Sequence, residues 1–258
     1  MQTTVNGIQV AYTDEGKGTP LLFVHGFPLC RDTWSKQVEA FKASHRVIAP
    51  DLRGLGETGA TEGPISMSRF ADDLDALLRH LGTGPVNLVG HSMGGYVALA
   101  FAKAHPEALR GLVLVGTKAG ADTQEGAAAR RATAEKVRVD GVSVVVDAMA
   151  PKMLSATNTD AAMASAVRGF MALSKPEGVI GALLGMAERP DAGTWLGTIQ
   201  VPVLVIAGTD DVIIPPGESE ALAKAIPGAQ LKLIPDAGHL VAFEQADAFN
   251  SALRAWLG

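Results

Sequence analysis

The chain has 258 residues, of which 47% are hydrophobic and 19% are charged, and its formal net charge is -5. This size and composition fit one large globular domain, or one domain with an insertion, and exclude a disordered, fibrous or disulfide-scaffold protein. The basic residues are scattered and form no positive stripe, so a nucleic-acid partner is not expected.

The N-terminal stretch MQTTVNGIQV lacks the basic and apolar regions of a signal peptide. No apolar run approaches the ~18 residues that cross a bilayer. We therefore expect a soluble, cytoplasmic protein with no membrane partner. Cys30 is the single cysteine, which excludes an internal disulfide and a multi-cysteine metal site, and we interpret it as a packing residue.

The first structural signal is a hairpin. Residues 5–10, VNGIQV, set apolar residues in alternation around Asn6-Gly7, a dipeptide that favours a tight turn between antiparallel strands. Short apolar runs follow, and they are typical of parallel strands that are buried on both faces. These runs span residues 20–25, 45–50, 85–90, 111–116, 201–208 and 230–235.

Segments of helical periodicity separate these runs. The clearest spans residues 68–82, where apolar side chains recur on one helical face among charged neighbours. Strands that alternate with helices predict an α/β fold, with a mostly parallel central sheet and helices on both faces. Ligand sites of such folds lie at the carboxyl ends of the strands.

The alternation stops between the fourth and fifth of these parallel-strand runs. We interpret residues 119–196 as an inserted helical cap on a core formed by residues 1–118 and 197–258; within the cap, residues 142–149 could be strand or helix. The cap is rich in methionine, whose flexible thioether suits an adaptable apolar pocket. Met149, Met153 and Phe170 are therefore candidate substrate contacts, and packing of the cap onto the core explains them equally well.

A candidate nucleophile follows the third of the parallel-strand runs. Residues 90–96, GHSMGGY, match G-x-S-x-G, a pattern in which Ser92 occupies a sharp turn between a strand and a helix. A serine hydroxyl is a weak nucleophile, so it needs a histidine as base and a carboxylate to orient that histidine.

The positions of loops after the later strands indicate which residues could be the base and the acid that Ser92 needs. His239 lies on a glycine-marked loop after the last strand, and both Asp210 and Asp211 follow the strand at residues 201–208. The chain order of serine, acid and histidine is that of α/β hydrolases. The other histidines are interpreted as surface or capping residues (His45, His80, His105), as turned away from the serine (His91), or as the end of the first parallel strand (His25).

An oxyanion hole needs two backbone N–H donors, one after the nucleophile and one in the loop after an early strand. Met93 and Phe27 occupy these two positions, and Gly26 lets the backbone turn before Phe27.

The motifs HGFPL with Trp34, DLRGLG, GHSMGGYVALA, GTDDVIIPP and DAGHL, in this order across the whole chain, resemble the α/β-hydrolase superfamily. The resemblance implies a Ser-His-Asp hydrolase, and the family pattern G-x-x-D-x-x-x-P selects Asp211 with Pro215. The HGFP entrance and the end of the cap are similar to those of capped microbial carboxylesterases. Within that entrance, His25 and Pro28 are further candidate substrate contacts.

Related families offer alternatives. Epoxide hydrolases and haloalkane dehalogenases use an aspartate nucleophile where this chain has Ser92, and both activities are disfavoured. The 3-oxoadipate enol-lactonases have a similar cap but usually carry Asn-Ser in place of His25-Gly26, and cofactor-free perhydrolases and haloperoxidases share a proline like Pro28. An enol-lactone hydrolase or a perhydrolase is thus an alternative, and a small-molecule receptor with little turnover is the alternative from another class.

Remaining signals are interpreted as structural. GLGETG, residues 54–59, matches a dinucleotide fingerprint, but Gly63-Pro64 breaks any helix that would hold the phosphates. Asp51 and Arg53 are expected to organise a loop, and Glu244 is expected to make a structural contact. The sequence predicts a serine carboxylesterase that needs no cofactor or metal and acts on small to medium acyl esters or lactones.

Overall fold

The computed structural model describes residues 1–258 and contains one eight-stranded sheet and ten α-helices. The strands are β1 (Gln2–Val5), β2 (Ile8–Glu15), β3 (Pro20–Val24), β4 (Arg46–Pro50), β5 (Val86–His91), β6 (Leu109–Val115), β7 (Val203–Gly208) and β8 (Gln230–Ile234). The helices are α1 (Ser35–Phe41), α2 (Met67–His80), α3 (Met93–Ala104), α4 (Gln124–Asp140), α5 (Ser143–Met149), α6 (Ala161–Ala172), α7 (Pro176–Ala187), α8 (Pro216–Ala225), α9 (Val241–Glu244) and α10 (Ala246–Leu257).

The strand order is β1-β2-β4-β3-β5-β6-β7-β8. β1 and β2 form the predicted antiparallel hairpin, and β2 also pairs antiparallel with β4, whereas all other neighbours are parallel. The turn residues Asn6 and Gly7 have φ values of 46° and 75°, the left-handed values that this tight turn requires. The six apolar runs each become a strand, so the predicted sheet is confirmed.

Apolar side chains cover both faces of the sheet because successive residues of a strand point to opposite sides. In β3, Leu22 and Val24 belong to a large core cluster that includes residues of α2 and α3. Leu21 and Phe23 belong to a second cluster, with residues of α1 and α10, on the opposite face. The central strands are therefore fixed from both sides, which gives their carboxyl ends a rigid position.

The residues between β6 and β7 contain α4 to α7 and no strand. We call residues 119–196 the helical segment. Its run at 142–149 is helical from Ser143 onward, with Val145 and Val146 buried, although valine favours strands. Burial of this apolar face outweighs the intrinsic preference. None of the ten helices has both the length and the apolarity needed to cross a bilayer.

Candidate active site

Ser92 forms the turn between β5 and α3. β5 ends at His91 and α3 begins at Met93, so a single residue makes the reversal. Its φ of 54° and ψ of -115° are values that residues other than glycine rarely adopt. Two hydrogen bonds of 2.8 Å hold this backbone: the Ser92 N–H donates to the Val115 carbonyl, and the Thr117 hydroxyl donates to the Ser92 carbonyl. The side chain is half-buried.

Gly94 explains the last glycine of the G-x-S-x-G pattern. A Cβ at this position would lie 2.4 Å from the Val24 carbonyl oxygen and 2.6 Å from the His25 carbonyl oxygen. Side-chain carbons do not approach backbone oxygens so closely, so the first turn of α3 can pass this close to the chain at Val24 and His25 only with glycine at position 94. The close crossing brings the Ser92 turn directly against the loop that follows β3.

Asp211, His239 and Ser92 form a continuous hydrogen-bonded chain. The Ser92 hydroxyl lies 2.8 Å from His239 Nε2, and His239 Nδ1 lies 2.8 Å from Asp211 Oδ2. The other carboxylate oxygen, Asp211 Oδ1, accepts the N–H groups of Ile213 and Ile214, both at 2.8 Å. Only 3% of Asp211 and 1% of His239 are exposed. With its Nδ1 proton directed to the carboxylate, the imidazole presents the Nε2 lone pair to the hydroxyl.

Two free backbone donors flank the serine. The N–H groups of Phe27 and Met93 donate no hydrogen bond within the chain. Gly26 packs against the serine turn, because a Cβ there would lie 3.0 Å from Ser92 Cβ and 2.9 Å from His91 Nδ1. The loop that carries Phe27 is thereby held close to the hydroxyl, and both N–H groups are available to an oxygen of a bound molecule.

His91 packs behind this hydrogen-bonded chain. Its Nε2 donates to the His239 carbonyl at 2.9 Å, and the two imidazole centroids are 4.8 Å apart. Burial, with a contribution from neighbouring His239, lowers the pKa of His91 to about 3. His91 is therefore neutral at pH 7 and supports the backbone of the histidine loop.

The burial of His91 predicts that the free energy of unfolding decreases as the pH falls. The pKa of His91 is about 3 in the folded chain and about 6.5 when it is unperturbed, so below pH 6.5 the unfolded chain binds the proton first. Stability that is present above pH 6.5 is lost as the pH falls toward 3. The loss is about 2 kcal/mol between pH 7 and pH 5. Urea unfolding at both pH values measures this loss. The free energy of unfolding of His91→Gln should fall by about 2 kcal/mol less than that of the wild type between pH 7 and pH 5. An equal fall in both proteins would contradict the lowered pKa of His91.

The side chain of His25 packs inside the protein, next to the loop that carries Phe27, and is not exposed. It is fully buried, its Nδ1 donates to the Gly26 carbonyl at 2.8 Å, and its Nε2 accepts the Leu52 N–H at 2.9 Å. Burial lowers its pKa. Because both ring nitrogens are bonded to backbone groups, the expectation of a substrate contact is corrected: His25 ties the loop after β3 to the loop after β4.

The other candidate substrate contacts lie where the helical segment meets the core. Pro28 is buried, and its carbonyl accepts the Ser174 hydroxyl at 3.0 Å. Met153 is fully buried, and Met149 and Phe170 are half-buried against the same apolar cluster. Met153 thus packs the helical segment onto the core, and only Met149 and Phe170 retain a substantial exposed surface.

Glu244 bonds to the histidine loop and to the helical segment. The sequence did not identify these partners. Its carboxylate accepts the N–H of Gly238 at 2.6 Å, the N–H of Ser155 at 3.0 Å and the side-chain amide of Asn158 at 2.7 Å. The Ser155 hydroxyl donates to Asp210 Oδ2 at 2.6 Å. One buried carboxylate therefore links the histidine loop to the helical segment, which in turn is bonded to the acid loop. We call these contacts the Glu244 junction.

The loop after β4 is organised by buried charges. Asp51 accepts the Glu57 N–H at 2.9 Å, and Arg53 pairs with Asp73 at 2.6 Å. No helix begins in this loop before α2. Nearby Cys30 is buried, and burial raises the pKa of its thiol to about 12. It remains a protonated packing residue at neutral pH.

The sheet, the serine turn and the two loops that meet it define an α/β hydrolase. The chain belongs to the alpha/beta hydrolase fold family, whose model matches residues 19–246. The predicted fold class and family resemblance are thus confirmed.

Three known proteins illustrate the range of this family. The chain is 43% identical to an esterase from Thermogutta terrifontis, with a TM-score of 0.95 over 99% of this chain and 96% of that one. It is 27% identical to the enol-lactonase from Burkholderia xenovorans LB400, with a TM-score of 0.93 over 100% and 99% of the two chains. It is also 29% identical to the non-heme chloroperoxidase CPO-A1 of Kitasatospora aureofaciens, over 99% of this chain and 98% of that relative.

Proposed function

We propose that this hydrolase is a serine carboxylesterase that cleaves esters of small to medium acyl groups. The observation that carries the proposal is the hydrogen-bonded chain from Asp211 through His239 to Ser92, with both links at 2.8 Å. The likeness to the Thermogutta terrifontis esterase over nearly the whole chain supports the same activity.

The mechanism follows from the direction of these hydrogen bonds. His239 Nε2 takes the hydroxyl proton while Ser92 Oγ attacks the ester carbonyl carbon. The carbonyl oxygen gains the negative charge and accepts the free N–H groups of Phe27 and Met93, each worth ~3 kcal/mol to the transition state. Asp211 stabilises the imidazolium, which then protonates the leaving alcohol. Water, deprotonated by His239, then attacks the acyl carbon; the bond to Ser92 Oγ breaks, His239 returns the proton to that oxygen, and the acid is released.

A cyclic ester is the second candidate substrate. The same attack on a lactone opens the ring, and the leaving alcohol then stays attached to the acyl group. The similarity to the enol-lactonase favours this alternative. The chloroperoxidase relative favours a perhydrolase side activity, in which hydrogen peroxide replaces water in the second step and releases a peracid.

A fluorophosphonate probe tests the proposal together with a series of p-nitrophenyl esters. We expect stoichiometric phosphonylation, mapped to Ser92 by peptide mass spectrometry, because the probe requires an aligned and activated serine. Among the acetate, butyrate, octanoate and laurate esters, kcat/KM should be highest for one of the shorter acyl groups.

Heat-denatured protein is the control and should remain unlabelled. A folded protein that takes up no probe and hydrolyses every ester slowly would support the receptor alternative. If enol-lactones were hydrolysed with a higher kcat/KM than the esters, the protein would be assigned as an enol-lactone hydrolase.

A further inference from the structure

A cavity outside the candidate active site lies between the core and the helical segment. Its volume is about 440 Å³, and its walls come from the start of α2, from α3, from the turn after β6 and from the residues that follow α7. Ser92, Asp211 and His239 do not line it. The cavity is therefore separate from the candidate active site, and an inference about its ligand does not depend on the proposed function.

Contacts within the chain hold the walls of this cavity in place. A Cβ on Gly185 of α7 would lie 1.7 Å from the Ile65 carbonyl oxygen, so the backbone of α7 rests directly on the chain before α2. Trp195 is fixed on the opposite side, because its Nε1–H donates to the Leu99 carbonyl at 3.2 Å. Preformed clefts at the interface of two structural units are common small-molecule sites.

Cationic groups converge on the cavity although the whole chain is acidic. Lys103 and Lys118 both line it, and neither takes part in a salt bridge; the Lys103 ammonium lies 4.3 Å from the centroid of the Trp195 ring. Glu188 is the one acidic residue of the lining; it is exposed, as is Lys103, so solvent and salt screen both of these charges, whereas Lys118 is half-buried. The charge of the lining therefore favours an anion.

Arg189 supplies an unsatisfied donor in the same wall. Only 6% of the residue is exposed, and its guanidinium lies 4.1 Å from the centroid of the Tyr96 ring. Its Nη1 pairs with Asp122 at 2.8 Å, but its Nε–H has no hydrogen-bond partner. An unpaired buried donor is unfavourable, and this one lies in the wall of the cavity.

Apart from Ser66 and Ser68, the rest of the lining is apolar or aromatic. It includes Tyr96, Leu99 and Trp195, together with several alanines. We propose that this cavity binds a small organic monoanion, a carboxylate with an apolar or aromatic body. The carboxylate accepts from the two lysines, and the body packs against Tyr96 and Trp195.

The test uses 4-phenylbutyrate and its neutral analogue 4-phenylbutanol. Both are titrated into the Ser92→Ala variant, with calorimetry and with tryptophan fluorescence excited at 295 nm. We expect the carboxylate to bind at least about tenfold more tightly than the alcohol, and the fluorescence change to disappear in Trp195→Phe. The Lys103→Met Lys118→Met double variant should weaken the acid about tenfold and leave the alcohol unchanged, whereas Lys224→Met, at an exposed site on α8, should change neither.

Wild-type protein whose Ser92 has been blocked by a phosphonate should bind 4-phenylbutyrate as before. If the block abolishes binding, the ligand occupies the active site and the inference fails. Equal affinities for the acid and the alcohol, a signal that survives in Trp195→Phe, or no binding at all would each overturn it. Because the titrations follow binding and not turnover, a failure here leaves the esterase proposal untouched.

Discussion

Replacement of Ser92 by alanine is expected to lower kcat for p-nitrophenyl butyrate by at least about 10⁴-fold. Under the proposed function, the substitution removes the atom that forms the acyl-enzyme, while the free N–H groups of Phe27 and Met93 remain. Such donors alone retain a small part of the acceleration over water. The rates of both proteins, purified side by side, should therefore differ by several orders of magnitude at equal substrate affinity.

The matched control is Ser251→Ala, at an exposed serine of α10, which should keep the wild-type rate. Thermal unfolding should show the fold of Ser92→Ala intact, since the hydrogen bonds at this turn are made by the Ser92 backbone. If Ser92→Ala kept more than a tenth of the wild-type rate, another group would be the nucleophile.

Asp211→Asn is expected to reduce kcat by about 10⁴-fold, whereas Asp210→Asn should stay within about tenfold of the wild type. The amide oxygen that Asp211→Asn introduces can still accept from Ile213 and Ile214, so the loop is retained. The variant no longer offers an anion to His239 Nδ1, and the imidazole loses both its orienting acceptor and the charge that stabilises its protonated form. Asp210 instead accepts the Ser155 hydroxyl, a bond that an asparagine oxygen can replace.

Steady-state kinetics of the two variants compare neighbouring carboxylates that differ in their contact with His239. Equal losses would mean that the effect comes from the loop and not from the hydrogen bond to the imidazole. A larger loss in Asp210→Asn would reverse the assignment made from the geometry and from the G-x-x-D-x-x-x-P pattern.

The strands and the residues of the hydrogen-bonded chain could be predicted because their signals are local. Asn6-Gly7 specifies a turn through its own backbone, and Gly94 marks a crossing that no side chain allows. The loop position alone left Asp210 and Asp211 open, and the family pattern G-x-x-D-x-x-x-P selected Asp211. In the structure, N–H groups two and three residues along the chain hold the Asp211 carboxylate.

The rest depends on how distant parts of the chain dock. Hydrophobic periodicity does not show that Met153 is buried between the helical segment and the core. Nor does it show that both ring nitrogens of His25 form hydrogen bonds with the backbone. The valine-rich residues 142–149 prefer a strand locally, but they form a helix because packing buries its apolar face. Ser155 lies 89 residues before Glu244, and no motif connects them.

The Glu244 junction sets a condition for chimeric hydrolases made by exchanging helical segments between relatives. A graft whose backbone does not bring an N–H to the place of Ser155 N, or that lacks the amide of Asn158, would leave a buried carboxylate short of partners. Such a group costs several kcal/mol, and the cost falls on the loop that carries the histidine. Segments are thus interchangeable only when residues 153–158 travel with them or when position 244 is redesigned in the same step.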